Sequence, residues 1–371
     1  MKRILFVSSL GIGHAFPMVP LARALQAAGH EVLLATTGEA LVTAQAGIPV
    51  HDVAPGMTRA QLMARVGEVD PEQVRALLAA RSRDLAEAAV PLSVMVRVLV
   101  DGVVALARDF RPDLVVQSQG QGAGLVTAGA LGVPLAEHNF GLIRATGLDA
   151  RLRELLGDVF EQYTAELPEH RTTLDVAPSS MVDSQAGWPL RYVPYNGTAV
   201  IPNFLTTQPS RPRIAVTLGT VAPGTSGLGP VRHLLELASR VDAEFVLALG
   251  KSDLGELEPL PPNVRVGGWL PLNRLLPTCA AVVHHGGAGS TMTALAAGVP
   301  QLVLPSGADR YVNADAVHAR GAGLAADQPS LDLLCRLLTD DGIRVAAQEV
   351  RAEIQAMPSP ELVARRLLEQ C

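Results

Sequence analysis

The chain is poor in several things, and each shortage narrows what it can be. It has three cysteines, Cys279, Cys335 and Cys371, an odd and scattered set with no metal-ligand spacing. That excludes a disulfide framework and fits a reducing cytoplasm. Lysine occurs only at Lys2 and Lys251, so nearly all positive charge is arginine, and no basic tract exists. With a net charge of −6, a nucleic-acid partner is not expected. The apolar runs are strand-sized, about 5–8 residues, and broken by Gly and Pro, so no membrane span is expected. Met1-Lys2-Arg3 followed by ILFVSSL is compatible with a secretory leader. However, Gly11, Gly13 and His14 interrupt it and no small-residue cleavage site follows. The stretch reads as a first buried strand, and the expected location is cytoplasmic.

What the chain has is apolar mass. Hydrophobic residues make up 48% of 371 positions and charged residues 18%, enough for about two cores. Residues 3–9 (RILFVSS) read as a strand, 17–28 as a helix opened by proline, and 30–36 (HEVLLAT) as a second strand. A helical tract at 71–110, with Pro91 as a break or kink, precedes strands at 113–118 and 133–139. Residues 140–187 read as helix and loops. The stretch 189–211, PLRYVPYNGTAVIPNFLTTQPSR, holds four prolines and no helical period, and reads as a linker. The rhythm then restarts: strands at 213–220, 244–250, 263–271, 280–285 and 300–305, helices between them, and an amphipathic helix at 359–370. Strand–helix–strand alternation predicts α/β architecture with parallel sheets, here two doubly wound domains. The expected boundaries are 1–190, a linker at 191–211, 212–356, and a terminal segment at 357–371.

In such sheets ligands bind beyond the carboxyl ends of the strands. Four loops there carry polar chemistry. HHGGAGST, from His284 to Thr291, follows a strand and opens a helix. Gly286, Gly287 and Gly289 allow close backbone approach, the helix start offers free N–H groups, and His285, Ser290 and Thr291 add donors suited to a phosphate. A tight, capped turn is the plain alternative. There is no Walker GK[ST]. The second loop, Ser9 to His14, has GxG without a third glycine. His14 is a candidate general base. The third, Thr217-Leu218-Gly219-Thr220, offers a hydroxyl. The fourth, Gly267-Gly268-Trp269-Leu270-Pro271, offers a flat indole to a nucleobase, against the plainer reading of a core aromatic.

Together these stretches resemble a family 1 nucleotide-sugar glycosyltransferase of GT-B architecture, two Rossmann-like domains facing across a cleft. The resemblance is closest to the bacterial enzymes that decorate polyketide and enediyne natural products with deoxysugars. It rests on GIGHAFPMVPLARALQAAGHEV (11–32), RYVPYNG (191–197), VGGWLP (266–271), HHGGAGSTMTALAAGVPQLVLP (284–305) and DRYVNADAV (309–317). It implies that His14 is the base toward the acceptor. It also implies that His285, Gly287, Gly289, Ser290 and Thr220 meet the donor diphosphate, that Trp269 and Leu270 meet the nucleobase, and that Asp309 binds sugar hydroxyls. The terminal helix would return to the first domain. Two departures stand out. No acid follows the strand DLVVQS (113–118) to orient His14, and Arg310 stands where a glutamine is common after the acid. Glu137, in VPLAEHN, is therefore a second candidate base. Gly13, Ser118 and Asn139 are acceptor-side candidates.

The expected function is an inverting transfer of a deoxysugar from a dTDP-sugar to a polyketide-type small molecule in antibiotic biosynthesis. The chain lacks the DxD carboxylate pair of metal-binding glycosyltransferases, so no metal and no other cofactor is expected. A homodimer stays open. The alternatives are a hexose-nucleotide epimerase of the same architecture and a catalytically inactive partner homologue.

Overall fold

The computed structural model describes residues 1–69, 82–219, 229–250, 255–257 and 259–369. Its contacts divide the chain into two units. Unit 1 holds Met1–Ala177, Ser184–Gly197 and Met357–Cys371; unit 2 holds Pro178–Asp183 and Thr198–Ala356. The expected linker is thus divided, 191–197 packing with unit 1 and 198–211 with unit 2.

In unit 1 the strands are β1 (Arg3–Val7), β2 (Glu31–Thr36), β3 (Val50–Asp52), β4 (Leu114–Ser118), β5 (Leu135–His138), β6 (Arg171–Asp175) and β7 (Trp188–Pro189). They form one parallel sheet in the order β3-β2-β1-β4-β5-β6-β7. The order reverses between β1 and β4, where the chain leaves two neighbouring strands in opposite directions and opens a crevice. The helices are α1 (Ile12–Ala15), α2 (Val19–Ala27), α3 (Arg59–Val69), α4 (Ala89–Phe110), α5 (Gly122–Leu131), α6 (Leu148–Leu155) and α7 (Gly157–Gln162). Leu5, Val7, Val115 and Leu135 pack with α4 and α5 in one core layer.

Three readings of the sequence need correction here. Residues 71–81 of the expected helical tract lie outside the described residues, and Pro91 sits in the first turn of α4, where a missing N–H costs nothing, instead of kinking it. The stretch 140–187 contains the strand β6, whose threonines and single buried leucine hid it. The expectation about apolar runs also changes. The 26 residues Leu85–Phe110 are long and apolar enough to cross a membrane by length and composition, and half of that window is buried. Its apolarity follows from packing on both α5 and α6 within unit 1.

Unit 2 repeats the plan. Its strands are β8 (Arg213–Thr217), β9 (Glu244–Leu247), β10 (Val264–Val266), β11 (Ala281–His284), β12 (Gln301–Val303) and β13 (Gly323–Ala325), parallel, in the order β10-β9-β8-β11-β12-β13. Its helices include α8 (Gly229–Ala238), α9 (Leu272–Leu275), α10 (Ala288–Ala297), α11 (Arg310–Ala319), α12 (Leu331–Thr339) and α13 (Asp341–Ala356). The switch point falls between β8 and β11.

The last helix, α14 (Pro360–Leu368), belongs to unit 1. Ser359 caps it by accepting from the Leu362 N–H at 3.4 Å, with proline at the first position. It packs on α2, and the Arg366 guanidinium lies 3.6 Å from the centre of the Trp188 ring. The Arg191 N–H donates to the Pro358 carbonyl at 2.8 Å, which fixes the approach of this segment.

Gly102 shows how closely α4 is seated: a Cβ there would lie 2.0 Å from the Val53 carbonyl oxygen, whereas one on Gly67 of α3 would meet nothing within 4 Å. Gly102→Ala should therefore destabilise unit 1 by about 1–3 kcal/mol through overpacking. Gly67→Ala should be neutral or stabilising by up to about 1 kcal/mol. Denaturant midpoints of the two variants check this, and equal midpoints would refute the close approach.

Candidate functional site

At the switch point of unit 2, β11 ends at His284 and His285 follows it, two histidines with different duties. The Gly286 N–H donates to His284 Nδ1 at 3.0 Å, so that nitrogen is bare, and His284 Nε2 lies 2.8 Å from Gln301 Oε1, so that nitrogen carries the proton. Both ring nitrogens are engaged, and burial pushes the pKa down to about 4. His284 is a neutral structural strut. His285 is different. Its ring is buried, its Nδ1 has no partner within the protein, and its pKa is held well below the ordinary range by burial, then by Arg310 and His284.

The glycines around it divide their work. A Cβ on Gly219 would lie 2.5 Å from His285 Cε1, and one on Gly287 would lie 2.4 Å from Nε2. The imidazole fills the space both glycines leave. Gly286 takes φ +86°, which glycine adopts without strain. Gly289 faces open space. The helix α10 begins here with Gly287 as its cap, which brings no capping side chain. The first intrahelical donor is the Thr291 N–H, bonded to Gly287 O at 3.0 Å. The N–H groups of Ala288, Gly289 and Ser290 are thus the orphan donors of the first turn, beside the positive end of the helix dipole. This geometry suits an anion.

Next to it, Gly307 and Ala308 both have positive φ and deliver Asp309 to the start of α11. Burial raises the Asp309 pKa, with Arg310 and Asn313 pulling it back. The Arg310 guanidinium donates to the Ser306 carbonyl and so closes its own loop. Asn313, one helical turn beyond Asp309, donates through Nδ2 to Gly286 O at 2.8 Å and to Asp309 Oδ2 at 3.2 Å. It ties the glycine turn to the acid. It was not among the sequence candidates, although its i, i+4 spacing from Asp309 was the available signal.

Trp269 follows β10 and is 40% exposed, its ring close to Gly250. Leu270 is corrected: its side chain is buried in the core with Val246, Leu275 and Val282, so only its backbone is open to a ligand. Thr220 lies outside the described residues.

In unit 1 the same crevice position is occupied by α1. The His14 ring packs edge-on against Phe140 with centroids 4.4 Å apart. Its Nδ1 is buried without a protein partner. Burial, and then Arg59, push its pKa down to about 4, so it is neutral and competent to accept a proton at ordinary pH. Arg59 itself is held by both Glu39 carboxylate oxygens at 3.2 and 2.9 Å. Gly13 is exposed, and a Cβ there would meet nothing.

Two candidates are placed elsewhere. Glu137 lies at the carboxyl end of β5, where its carboxylate also meets the Gly120 N–H beyond β4, and strand alternation puts it on the face of Leu135, under the helix layer. It accepts from Gln117 Nε2 at 3.3 Å, and burial, then Asp149, raise its pKa to about 8. Its surroundings are Gln117, Asp149 and Arg171, whereas the charge acting on His14 is Arg59. Asn139 is used at both ends: Nδ2 donates to Asp175 Oδ1 at 2.5 Å and Oδ1 accepts from the Val176 N–H at 2.8 Å. Asp175 in turn pairs with Arg144 at 2.8 Å. This is a structural network. Ser118 is fully buried with an unpartnered hydroxyl. Among the described residues no three His, Cys, Asp or Glu side chains converge as a metal site.

Two parallel α/β units, one with an anion-suited helix start beside a neutral histidine, define the GT-B class of glycosyltransferases, and comparison with known proteins agrees. The chain matches the Erythromycin biosynthesis protein CIII-like family, its N-terminal domain over residues 23–219 and its C-terminal domain over 232–370. It belongs to that family and is a glycosyltransferase. It is 44% identical to the elloramycin glycosyltransferase ElmGT of Streptomyces olivaceus, over 98% of this chain and 96% of that one. Among solved structures, the glycosyltransferase SnogD of Streptomyces nogalater superposes with a TM-score of 0.87 at 40% identity, covering 99% of both chains. SsfS6 of Streptomyces sp. SF2575, solved with thymidine diphosphate, superposes with a TM-score of 0.83 at 29% identity over the full length of both.

The setting of Glu137 makes a prediction. Its folded pKa of about 8 lies above its ordinary value of 4.5, so the folded state holds the proton more tightly than the unfolded one. Stability then falls as pH rises from about 4.5 to about 8. Glu137→Gln should flatten that slope while leaving catalysis near wild type. Denaturant titrations at pH 5, 6.5 and 8 check it; an unchanged slope would show that Glu137 ionises freely.

Proposed function

We propose that the protein transfers a deoxysugar, with inversion, from a dTDP-sugar to an aromatic polyketide-type acceptor in antibiotic biosynthesis. The observation that carries this reading is the turn after β11: orphan N–H groups at the start of α10 beside a neutral, partly unsatisfied His285. That arrangement stabilises charge growing on a leaving diphosphate without a reorganisation step. The exposed face of Trp269 suits a nucleobase, and Asp309, held by Asn313, suits sugar hydroxyls. The relatives' printed roles support the donor and acceptor classes: an elloramycin glycosyltransferase, a demethylnoviosyl transferase, and a structure bound to thymidine diphosphate.

His14 is the proposed base. As the acceptor oxygen attacks the anomeric carbon from the face opposite the diphosphate, the acceptor O–H proton passes to the imidazole and the sugar–phosphate bond breaks. The released diphosphate keeps the electron pair. A neutral histidine with a low pKa is a weak base, and this favours an acceptor hydroxyl that is itself acidic, such as a phenol. No metal is required in this scheme, because helix N–H groups and side-chain donors meet the diphosphate. The cytoplasm is the proposed location.

His285→Ala should weaken dTDP binding by about 1.5–3 kcal/mol, the usual cost of a lost hydrogen bond to a charged group. Unchanged affinity by calorimetry would sink the diphosphate assignment. His14→Ala should lose roughly 10²–10⁴ in kcat with the true acceptor, and a loss of only a few-fold would remove His14 as the base. Turnover should persist in excess EDTA; abolition by chelation with recovery on adding magnesium or manganese would overturn the metal-free scheme.

A further inference from the structure

The two strands that meet at the switch point of unit 2 end in the same device. The last residue of β8 is Thr217, and its Oγ1 accepts from the N–H of Gly219, two residues on, at 3.2 Å. The last residue of β11 is His284, and its Nδ1 accepts from the N–H of Gly286, again two residues on, at 3.0 Å. Both glycines have positive φ, +66° and +86°. The strands pair His284 directly with Thr217, so the two acceptors are neighbours on one face of the sheet. Gly286 is held a second time, because Asn313 Nδ2 donates to its carbonyl at 2.8 Å. The peptide groups on both sides of the Gly286 Cα are thus bonded to side chains from different elements. Glycine has the most backbone freedom to lose, and here these bonds remove it before any ligand arrives.

A threonine oxygen can always accept, but a histidine accepts at Nδ1 in only one tautomer. Gln301 decides which. Strands β11 and β12 pair Val282 with Gln301, so Gln301 and His284 share a face, one pleat apart. The amide orientation follows from the backbone. The Gly286 N–H requires a bare Nδ1, a neutral ring then carries its proton on Nε2, and only an acceptor can face that proton. Gln301 Oε1 does so at 2.8 Å. Gln301 Nε2, turned the other way, has no partner within the protein, so the amide forgoes a bond of its own in this orientation. His284 and Gln301 are 1% and 0% exposed. Burial keeps the His284 ring neutral, and its titratable chain neighbour His285, with ring centres 6.5 Å apart, is neutral as well.

We propose that Thr217, His284 and Gln301 are positioning residues for the nucleotide diphosphate. Thr217 and His284 hold the two glycine exits in one conformation, and Gln301 makes His284 able to do so by keeping it as the Nε2–H tautomer. None of the three needs to touch the nucleotide. Without them the Gly219 and Gly286 exits would sample other φ values, and the cost of ordering them would oppose binding. The inference rests on the reading of the α10 start as the diphosphate site.

The test combines nitrogen-15 NMR of the full-length protein without nucleotide, dTDP titration by calorimetry, and steady-state kinetics. Wild type should show His284 as the Nε2–H tautomer. Gln301→Met, which removes the acceptor at similar size, should let the Nδ1–H tautomer in and weaken dTDP binding by about five-fold, the usual effect of one buried hydrogen bond. The donor KM should rise while the acceptor KM stays put, a split that a general loss of folded protein would not give. Thr217→Val should weaken dTDP to a similar degree with the His284 tautomer unchanged, and Thr217→Ser, which keeps the hydroxyl, should restore it. His284→Asn places an acceptor where Nδ1 stands and should bind dTDP better than His284→Gln, which does not. If Gln301→Met fails to fold, the Thr217 and His284 pairs carry the test. A wild-type His284 protonated on Nδ1, or an unchanged tautomer in Gln301→Met, would overturn the role of Gln301. Unchanged dTDP affinity in Gln301→Met and Thr217→Val, while His285→Ala loses it, would overturn the positioning role as a whole. Unchanged affinity in all three would instead overturn the α10 start as the diphosphate site.

Discussion

The His285 ring occupies the space between Gly219 and Gly287, and the proposed donor site depends on that fit. A methyl group on either glycine would come within 2.5 Å of the ring. The contact holds the exit of β8 against the exit of β11 at the point where the strand order reverses. It keeps the imidazole neutral by burial and leaves the first N–H groups of α10 free. Asn313 then locks the arrangement from the other side, joining Gly286 to Asp309. Remove the clamp and the orphan donors lose their fixed direction, which is what makes a helix start a diphosphate site and not merely a frayed end.

In unit 1 the same topology frames the proposed base, His14. Its crevice between β1 and β4 is lined with uncharged polar groups, and burial holds both His14 and His138 near pKa 4. The carboxylates that could disturb this are turned away: Glu137 lies under the helix layer with Gln117, and Asp175 is bound by Asn139 and Arg144. A buried neutral imidazole beside the Arg59 charge can accept a proton but gains little from keeping it, a character that fits the acidic acceptor proposed. On the side of unit 2 the glycine turn offers N–H dipoles, with the Arg310 charge close enough to hold His285 neutral.

Much of this was legible in the sequence because parallel strands and their glycine-rich exits follow short-range rules. RILFV, LVVQS and AVVH are continuous apolar or small runs ended by turn residues, and each is the strand expected. The same rules placed His14 and His285 at strand exits. What failed did so for physical reasons. The strand β6 carries Thr172 and Thr173 with little apolar signal. Glu137 and Asn139 do lie at the carboxyl end of β5 as expected, but strand alternation turns Glu137 to the α4–α5 face, and Asn139 is used up in a buried ion network. The side chain of Leu270, between Trp269 and Pro271, went to the core with Val246, Leu275 and Val282. The tautomers of His284 and His138 depend on partners 17 residues away in one case and one residue away in the other, and no pattern along the chain predicts them.

The central claim is that the start of α10 is the diphosphate site. Amide hydrogen exchange resolved to single residues, with and without saturating dTDP, tests it most directly. The account predicts slowed exchange at Ala288, Gly289 and Ser290 on nucleotide binding, with a smaller effect at Gly219. Confirmed binding that leaves those amides exchanging at their free rates, or that protects the segment 11–15 of unit 1 in their place, would contradict it.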